Sequence, residues 1–147
     1  MKIEMKRNYI FLLLSEIVCF WVLFLCFPYT IQMQEGEDLF LLTREFLGGV
    51  ISRPQGITFL ISDFLEQFFA TAWAGALIYS LVITLSQCLL LLTLRNLGKT
   101  SFGWLVFFPA LLVVPYSFPF VDMSVNFLFF SLLLYVFTAI KSRIWRT

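Results

Sequence analysis

The chain has 147 residues, of which 61% are hydrophobic and 13% charged, and its mean hydropathy is +0.92. Soluble domains carry about 45–50% apolar and about 25% charged residues, and a chain this short must cover most of its surface with polar groups. The composition is therefore unlike that of a soluble domain and indicates an all-α integral membrane protein. The basic residues form no continuous patch, so nucleic-acid binding is not expected.

Eight of the ten basic residues lie in three short clusters beside long apolar runs. The clusters are Lys2, Lys6 and Arg7, then Arg95 and Lys99, and finally Lys141, Arg143 and Arg146. Basic residues favour the cytoplasmic ends of membrane helices. The spacing therefore predicts one membrane domain over residues 1–147, with transmembrane helices at residues 9–27, 71–94, 102–118 and 123–140. Both chain ends are expected in the cytoplasm, and the expected location is a bacterial inner membrane.

The first apolar run, at residues 9–27, contains one charged residue, Glu16. Its length is close to the ~20 residues that cross roughly 30 Å of hydrocarbon. A signal peptide is the alternative, because three basic residues precede the run. The apolar stretch is too long for a signal peptide, and no small-x-small cleavage site follows it. We therefore expect an uncleaved membrane anchor.

Residues 28–70 are the one long segment that the basic clusters leave outside the cytoplasm. Helical spacing of apolar residues predicts helices at residues 39–51 and 57–69, with a type I turn at residues 53–56. The second helix has an apolar face, with Ile57, Leu60, Ile61, Phe64, Leu65 and Phe68, and a polar face, with Thr58, Ser62, Asp63, Glu66 and Gln67. We expect an extracytoplasmic helical hairpin that lies flat at the interface, with its apolar side chains in membrane lipid.

The second and third runs carry residues that affect helix packing. Small residues at the start of the second run allow close helix approach, and we assign this packing to Ala72, Gly75, Ala76 and Ser80. In the third run, Pro109 and Pro115 predict a bent or partly re-entrant helix, because proline frees a carbonyl and kinks the axis.

Glu16 and Gln87 are the first candidate functional residues. Each lies seven residues from the cytoplasmic end of its run, so both are roughly 10 Å deep at ~1.5 Å per residue. An acid at this depth is costly and is by default a functional hypothesis. We predict that the two side chains form an intramembrane polar pair, with Ser15 or Thr84 nearby. The pair is either a structural hydrogen bond between helices or part of a proton or substrate relay.

Glu35, Glu37 and Asp38 form the second candidate site, just beyond the first run. Crowded carboxylates can hold a divalent cation or supply a general base. The alternative is a solvated acidic turn that stabilises the following helix through its dipole. The chain has no histidine, and its three cysteines, Cys19, Cys26 and Cys88, lack metal-ligand spacing. We therefore expect no metal and no cofactor, and we interpret the cysteines as apolar packing residues.

Four features along the outer segment resemble the N-terminal region of an uncharacterised family of bacterial integral membrane proteins found in Bacteroidetes. They are the acidic turn at residues 35–40, Pro54 with Gly56, FLEQFF at residues 64–69 and WAGA at residues 73–76. Gln55 separates the Pro-Gly pair, and Ala72 stands where the family has proline. The family has no established function, so the resemblance implies a membrane location without an activity.

The layout is also similar to the start of the GT-C membrane glycosyltransferases, which have one span, a long outer loop with interfacial helices, and further spans. This resemblance implies a polyprenyl-phosphate sugar donor and an essential acid in the outer loop. The acid would be Glu37 or Asp38, with Glu35 next. The class has many more spans, so this chain would match only an N-terminal part.

The usual catalytic patterns, such as G-x-S-x-G or a glycine-rich phosphate loop, do not occur in the chain. We therefore expect a small subunit or scaffold of unknown activity that is not independently an enzyme. It would pack with other membrane subunits, or with copies of itself, through the small-residue face of the second run. A GT-C-like transferase and a small transporter or channel component are the alternatives.

Overall fold

The structure is a computed structural model that describes the backbone of residues 2–29, 31, 43–98, 100–111 and 120–144. It describes the side chains of residues 10–29, 31, 43–98, 104–109 and 121–141. Within these ranges every regular element is helical and none is a strand, so the predicted all-α class is confirmed. The α-helices are α1 (Lys2–Cys26), α2 (Arg44–Ile51), α3 (Gly56–Glu66), α4 (Ala72–Asn96), α5 (Phe108–Leu111) and α6 (Phe120–Ile144). Two 3₁₀ helices, η1 (Gln67–Ala70) and η2 (Thr100–Phe107), precede α4 and α5.

Two of these helices are long and apolar enough to cross a membrane, judged by length and composition. They are α4 and the Val121–Lys141 part of α6. Helix α1 contributes a shorter apolar stretch, Ile10–Cys26. Within the described residues, the prediction of four membrane helices is therefore supported for two.

The third predicted span, at residues 102–118, is not one continuous α-helix over its described part, which consists of η2 and α5. Pro109 is the second residue of α5. In the first turn of a helix, the missing proline N–H removes no intrahelical hydrogen bond. Pro109 therefore lies at the junction of η2 and α5, and the predicted bend, which also depends on Pro115, stays a prediction. Pro115 lies outside the described residues.

Helix α4 is central and packs against α1 on one side. Gln87, in the second half of α4, contacts Ser15 of α1. Gly75, near the start of α4, lies against Ile31, which follows α1 in the chain. Later residues of α4 therefore meet earlier residues of the first segment, and α1 and α4 are antiparallel.

Helix α4 also packs against α6, in the opposite sense. Tyr79 contacts Ser124, and Ser86 lines the same small cavity as Phe127. Residue numbers thus rise together along the contact, and α4 and α6 run parallel. The start of α1 and the ends of α4 and α6 consequently lie at one end of the bundle. This is the relative arrangement that the basic clusters predicted.

The hydrophobic core lies where η1 and the segment after α1 meet α4 and α6. It contains Leu23, Ile31, Phe69, Ala76, Tyr79, Val82, Ile83, Val121 and Val125. Helix α3 packs against α2 and α6 beside this core. The core is thus built near the end of the bundle where α4 and α6 begin.

A tight turn at residues 52–55 joins α2 to α3. Helix α2 begins where the Thr43 hydroxyl oxygen accepts the Phe46 N–H at 3.4 Å. The Gly56 N–H donates to the Arg53 carbonyl at 3.0 Å and closes the turn. Gln55 has a φ of 66°, and a positive φ at the third position is typical of a type II turn, not of the predicted type I. Residues 39–42 of the predicted first outer helix lie outside the described residues.

Candidate functional site

Many polar side chains of this bundle are buried, while large apolar side chains are exposed. The buried polar residues are Thr58, Ser62, Asp63, Glu66, Ser80, Ser86, Gln87, Thr93, Ser124, Ser131 and Thr138. On α4 and α6 the exposed residues include Leu77, Leu81, Leu85, Phe130, Leu133, Phe137 and Ile140. In water, most large apolar side chains are inside and most polar ones outside. Polar residues that face the bundle interior are expected of helices surrounded by lipid.

Several of the buried hydroxyl groups donate to carbonyls of their own helix. The bonds run from Ser80 to Leu77 at 2.9 Å, from Ser86 to Val82 at 2.9 Å, and from Thr93 to Leu89 at 2.8 Å. Because a satisfied hydroxyl avoids the cost of a buried unpaired group, these residues can occupy the interior without a partner on another helix.

Two series of buried residues with the same seven-residue spacing recur on α4 and α6. Tyr79, Ser86 and Thr93 form the first, and Ser124, Ser131 and Thr138 form the second. The Ser124 hydroxyl donates to the Tyr79 hydroxyl at 3.1 Å. Because the helices run parallel, the later members of the two series lie at matching levels. Seven residues is the repeat of helices that pack at a small crossing angle. Sequence reasoning missed these series, although their equal spacing could have identified them.

Gln87 lies between α1 and α4 and is 0% exposed. Its Nε2 donates to Ser15 Oγ at 3.2 Å, whereas its Oε1 has no hydrogen-bond partner. Exchanging the amide oxygen and nitrogen would only replace the unpaired carbonyl oxygen by an unpaired NH₂ group at the same place. Thr84, one turn earlier on α4, also has a buried hydroxyl oxygen without a partner. The described contacts therefore leave unused hydrogen-bonding capacity at this level of α4.

Glu16 follows Ser15 on α1 and is half-buried. Over residues 10–26, the part of α1 whose side chains are described, the buried residues are Leu12, Cys19 and Leu23. Glu16 belongs to the same stripe, because residues three and four apart share a helix face. The structure thus brings Gln87 to the residue next to Glu16, and the described hydrogen bond goes to Ser15. The Glu16–Gln87 pair stays a prediction.

Replacing Gln87 by leucine is expected to change the free energy of unfolding by less than about 1 kcal/mol, because losing one hydrogen bond is offset by removing a buried unpaired carbonyl. Gln87→Ala should cost about 2 kcal/mol or more, because it leaves a cavity. Unfolding in mixed detergent micelles, followed by far-UV circular dichroism, measures both changes. A loss above about 2 kcal/mol for Gln87→Leu would show that the amide oxygen has a donor after all. A double-mutant cycle with Glu16→Leu would then test whether Glu16 is that donor.

The small residues assigned to helix packing contact other residues of the same chain. Gly75, Ala76 and Ser80 are buried, and Ala72 is half-buried. A Cβ added at Gly75 would meet the side chains of Ile31 and Phe69. This face of α4 is therefore occupied by the chain's own residues. The expectation that a partner subunit also binds there stays a prediction.

Glu35, Glu37 and Asp38 lie outside the described residues, so the acidic site stays a prediction. Over the ranges that are described, no group of three or more His, Cys, Asp or Glu side chains could hold a metal ion. A cavity of about 10 Å³ is lined by Ile83, Ser86, Pro109, Ser124 and Phe127. It has room for about one water molecule and none for a sugar or a lipid chain. This cavity favours neither a glycosyltransferase nor a transporter.

Comparison with known proteins identifies a family whose function is not known. A family model with the description "Family of unknown function (DUF6057)" matches residues 3–147. No curated protein and no solved structure matches the chain. The expected resemblance to an uncharacterised family is thus confirmed, and the function has to be inferred from the structure.

Proposed function

We propose that this chain, which belongs to the DUF6057 family of unknown function, is a helical integral membrane protein. It would serve as a small subunit or scaffold. The observation that carries the proposal is the reversed distribution of side chains. Ser131 and Gln87 are fully buried, whereas Leu133 and Phe137 are exposed by about two thirds of their surface, at 64% and 66%.

The energetic argument compares water with lipid around the same surface. Moving one large apolar side chain out of water is worth about 1.5–3 kcal/mol. Whole domains are stable by only about 5–15 kcal/mol. Exposed leucine, isoleucine, valine and aromatic side chains are spread over α1, α4 and α6. In water, burying these side chains together would gain more free energy than the stability of a typical domain, so the chain would aggregate, whereas acyl chains cover the same surface without aggregation.

The proposed orientation places the end of the bundle with Arg95 and Lys141 in the cytoplasm. Both residues are exposed, and both belong to the end at which α1 starts and α4 and α6 finish. Basic residues are enriched on the cytoplasmic side of membrane proteins, and the bacterial inner membrane is the corresponding location.

The proposed partner surface is the outer side of α1. Among the described helices, α1 packs extensively only against α4. Large apolar side chains cover the rest of its circumference, including Leu13, Ile17, Val18 and Trp21, which are each more than half exposed. A helix held on one side only can accept a helix from another membrane subunit, or from a second copy of this chain, on its other side.

Membranes that contain the chain should retain it after washing with alkaline carbonate, because its apolar surface needs lipid. After solubilisation in mild detergent, the chain should elute with a second membrane protein or a second copy, identified by mass spectrometry. Val18→Trp on α1 should weaken that association, whereas Leu133→Trp on α6 should leave it unchanged. Release of the chain by carbonate would contradict the membrane location. Elution as a lone chain in every mild detergent would contradict the role as a subunit.

A further inference from the structure

Helix α3 buries its polar residues and exposes only apolar ones, while Ile61 and Leu65 are partly buried against the core. Its polar residues, Thr58, Ser62, Asp63 and Glu66, are all buried. Its exposed residues, Ile57, Phe59 and Phe64, are all apolar. Thr58 and Ser62 each donate a side-chain hydrogen bond to a backbone carbonyl, at 2.8 and 3.0 Å. The helix was expected to lie flat at an interface, where a polar face normally meets water, but this polar face meets protein.

The neighbouring helix α2 and the turn that follows it have a different surface. Arg44, Glu45, Arg53 and Gln55 are all exposed there. Charged residues at these positions need water or lipid headgroups around them. The hairpin thus carries its exposed charges at the start of α2 and in the turn, whereas Ile51 at the end of α2 and the exposed residues of α3 are apolar.

The apolar exterior of α3 continues onto the proposed membrane surface of α4. Phe64 and Phe68 contact each other edge to face, with ring centroids 5.5 Å apart. Phe68, in η1, is exposed, and so are Trp73 and Leu77 in the first turns of α4. Aromatic residues such as Trp73 are enriched where a membrane helix enters the hydrocarbon. The exterior of α3 itself has no exposed polar side chain and adjoins a lipid-facing helix, so it is suited to acyl chains.

We propose that α3 is immersed in the bilayer, with Ile57, Phe59 and Phe64 in contact with acyl chains and its polar face packed onto the bundle. Helix α2 and residues 52–55 lie at the headgroups of the same leaflet, opposite the Arg95 end of the bundle. The partner of this surface is therefore lipid and not a protein. This inference rests on the proposed membrane location and adds a fourth lipid-contacting helix to α1, α4 and α6.

Spin labels at three positions test the proposal in the full chain. Cys19, Cys26 and Cys88 are replaced by alanine, and far-UV circular dichroism checks that the helix content is retained. Single cysteines replace Phe64, Arg53 and Leu133 in turn and are labelled with a nitroxide. The protein is reconstituted into phosphatidylcholine vesicles. Collision rates are measured with oxygen, which concentrates in hydrocarbon, and with a nickel chelate, which stays in water.

The labels at Phe64 and Leu133 should both collide mainly with oxygen, and the label at Arg53 mainly with nickel. The label at Phe64 could instead collide with nickel as often as the label at Arg53, while the label at Leu133 is protected from nickel. In that case the immersion of α3 is wrong, although the membrane location holds. Such a result would point to a protein partner on α3. If the label at Leu133 also meets nickel freely, the proposed membrane location itself fails.

Discussion

Replacing Gly56 by alanine is expected to separate α3 from α2. A Cβ at this position would overlap the Val50 carbonyl oxygen, and it would lie 2.8 Å from the Val50 carbonyl carbon and 3.0 Å from the Ile51 Cα. All three are backbone atoms, so no side chain can rotate away. Overpacking of this kind costs about 1–3 kcal/mol, and more where the backbone cannot shift. Unfolding in mixed detergent micelles, followed by far-UV circular dichroism, measures the loss.

Gly48→Ala is the matched control on α2. Nothing lies within 4 Å of a Cβ built at Gly48 or Gly49. Both glycines are inside a helix, where alanine is more stable than glycine by about 0.5–1 kcal/mol. Gly48→Ala should therefore stabilise the protein slightly while Gly56→Ala destabilises it. Equal losses for the two variants would mean that the close approach of α2 and α3 is absent.

Phe69→Ala is expected to cause the other large loss. Phe69 is 1% exposed and belongs to the core with Ile31, Ala76 and Tyr79. Truncation of a buried phenylalanine to alanine costs about 3–5 kcal/mol, because the transfer free energy is lost and a cavity remains. Since Phe69 joins residues from three segments of the chain, its loss should also lower the midpoint of thermal unfolding.

Phe68→Ala, at the preceding residue, controls for the change of residue type. Phe68 is 49% exposed, so the surrounding detergent can fill the space that alanine leaves. Its loss should stay within about 1 kcal/mol, in line with substitutions at exposed positions. A larger loss for Phe68→Ala than for Phe69→Ala would show that η1 is turned the other way.

Periodicity predicted the two faces of the second outer helix but not that its polar face packs onto protein instead of meeting water. The spacing of Ile57, Phe64 and Phe68 indicated a helix with two faces, and α3 with η1 covers the predicted residues 57–69. In water the apolar face would pack onto the protein. The structure instead packs Ser62 and Glu66 inward. The spacing of apolar residues shows which residues share each face of a helix. Which of the two faces turns toward the protein depends on whether water or lipid surrounds the helix. The spacing alone does not indicate which of these surrounds it.

Counting residues along the helices gives the relative level of α1 and α4, although the Glu16–Gln87 pair itself stays a prediction. Counting residues from the cytoplasmic ends put Gln87 level with Glu16, and Gln87 bonds to the adjacent residue, Ser15. The count succeeds because every α-helical residue adds the same ~1.5 Å. The residue count cannot decide which of two adjacent residues faces the other helix, because adjacent residues point about 100° apart around the helix axis. The rotation of each helix about its axis depends on packing.

The third apolar run shows where hydropathy does not predict secondary structure. Its hydropathy matched a membrane span, but η2 and α5 divide its described part. The sequence marked the position through Pro109. It did not indicate whether the proline bends a helix or starts one, because this depends on whether the residues before it are α-helical.

The parallel course of α4 and α6 has a consequence for the connectivity of the chain. Two consecutive parallel segments cannot be joined by a short loop, because the second begins at the end where the first began. Helix α4 has 25 residues, so residues 97–119 must return along roughly 37 Å at ~1.5 Å per residue. Helices η2 and α5, which lie on this return path, both pack against α4. If α4 and α6 cross a bilayer, the connection between them must cross it as well, whatever its helical form.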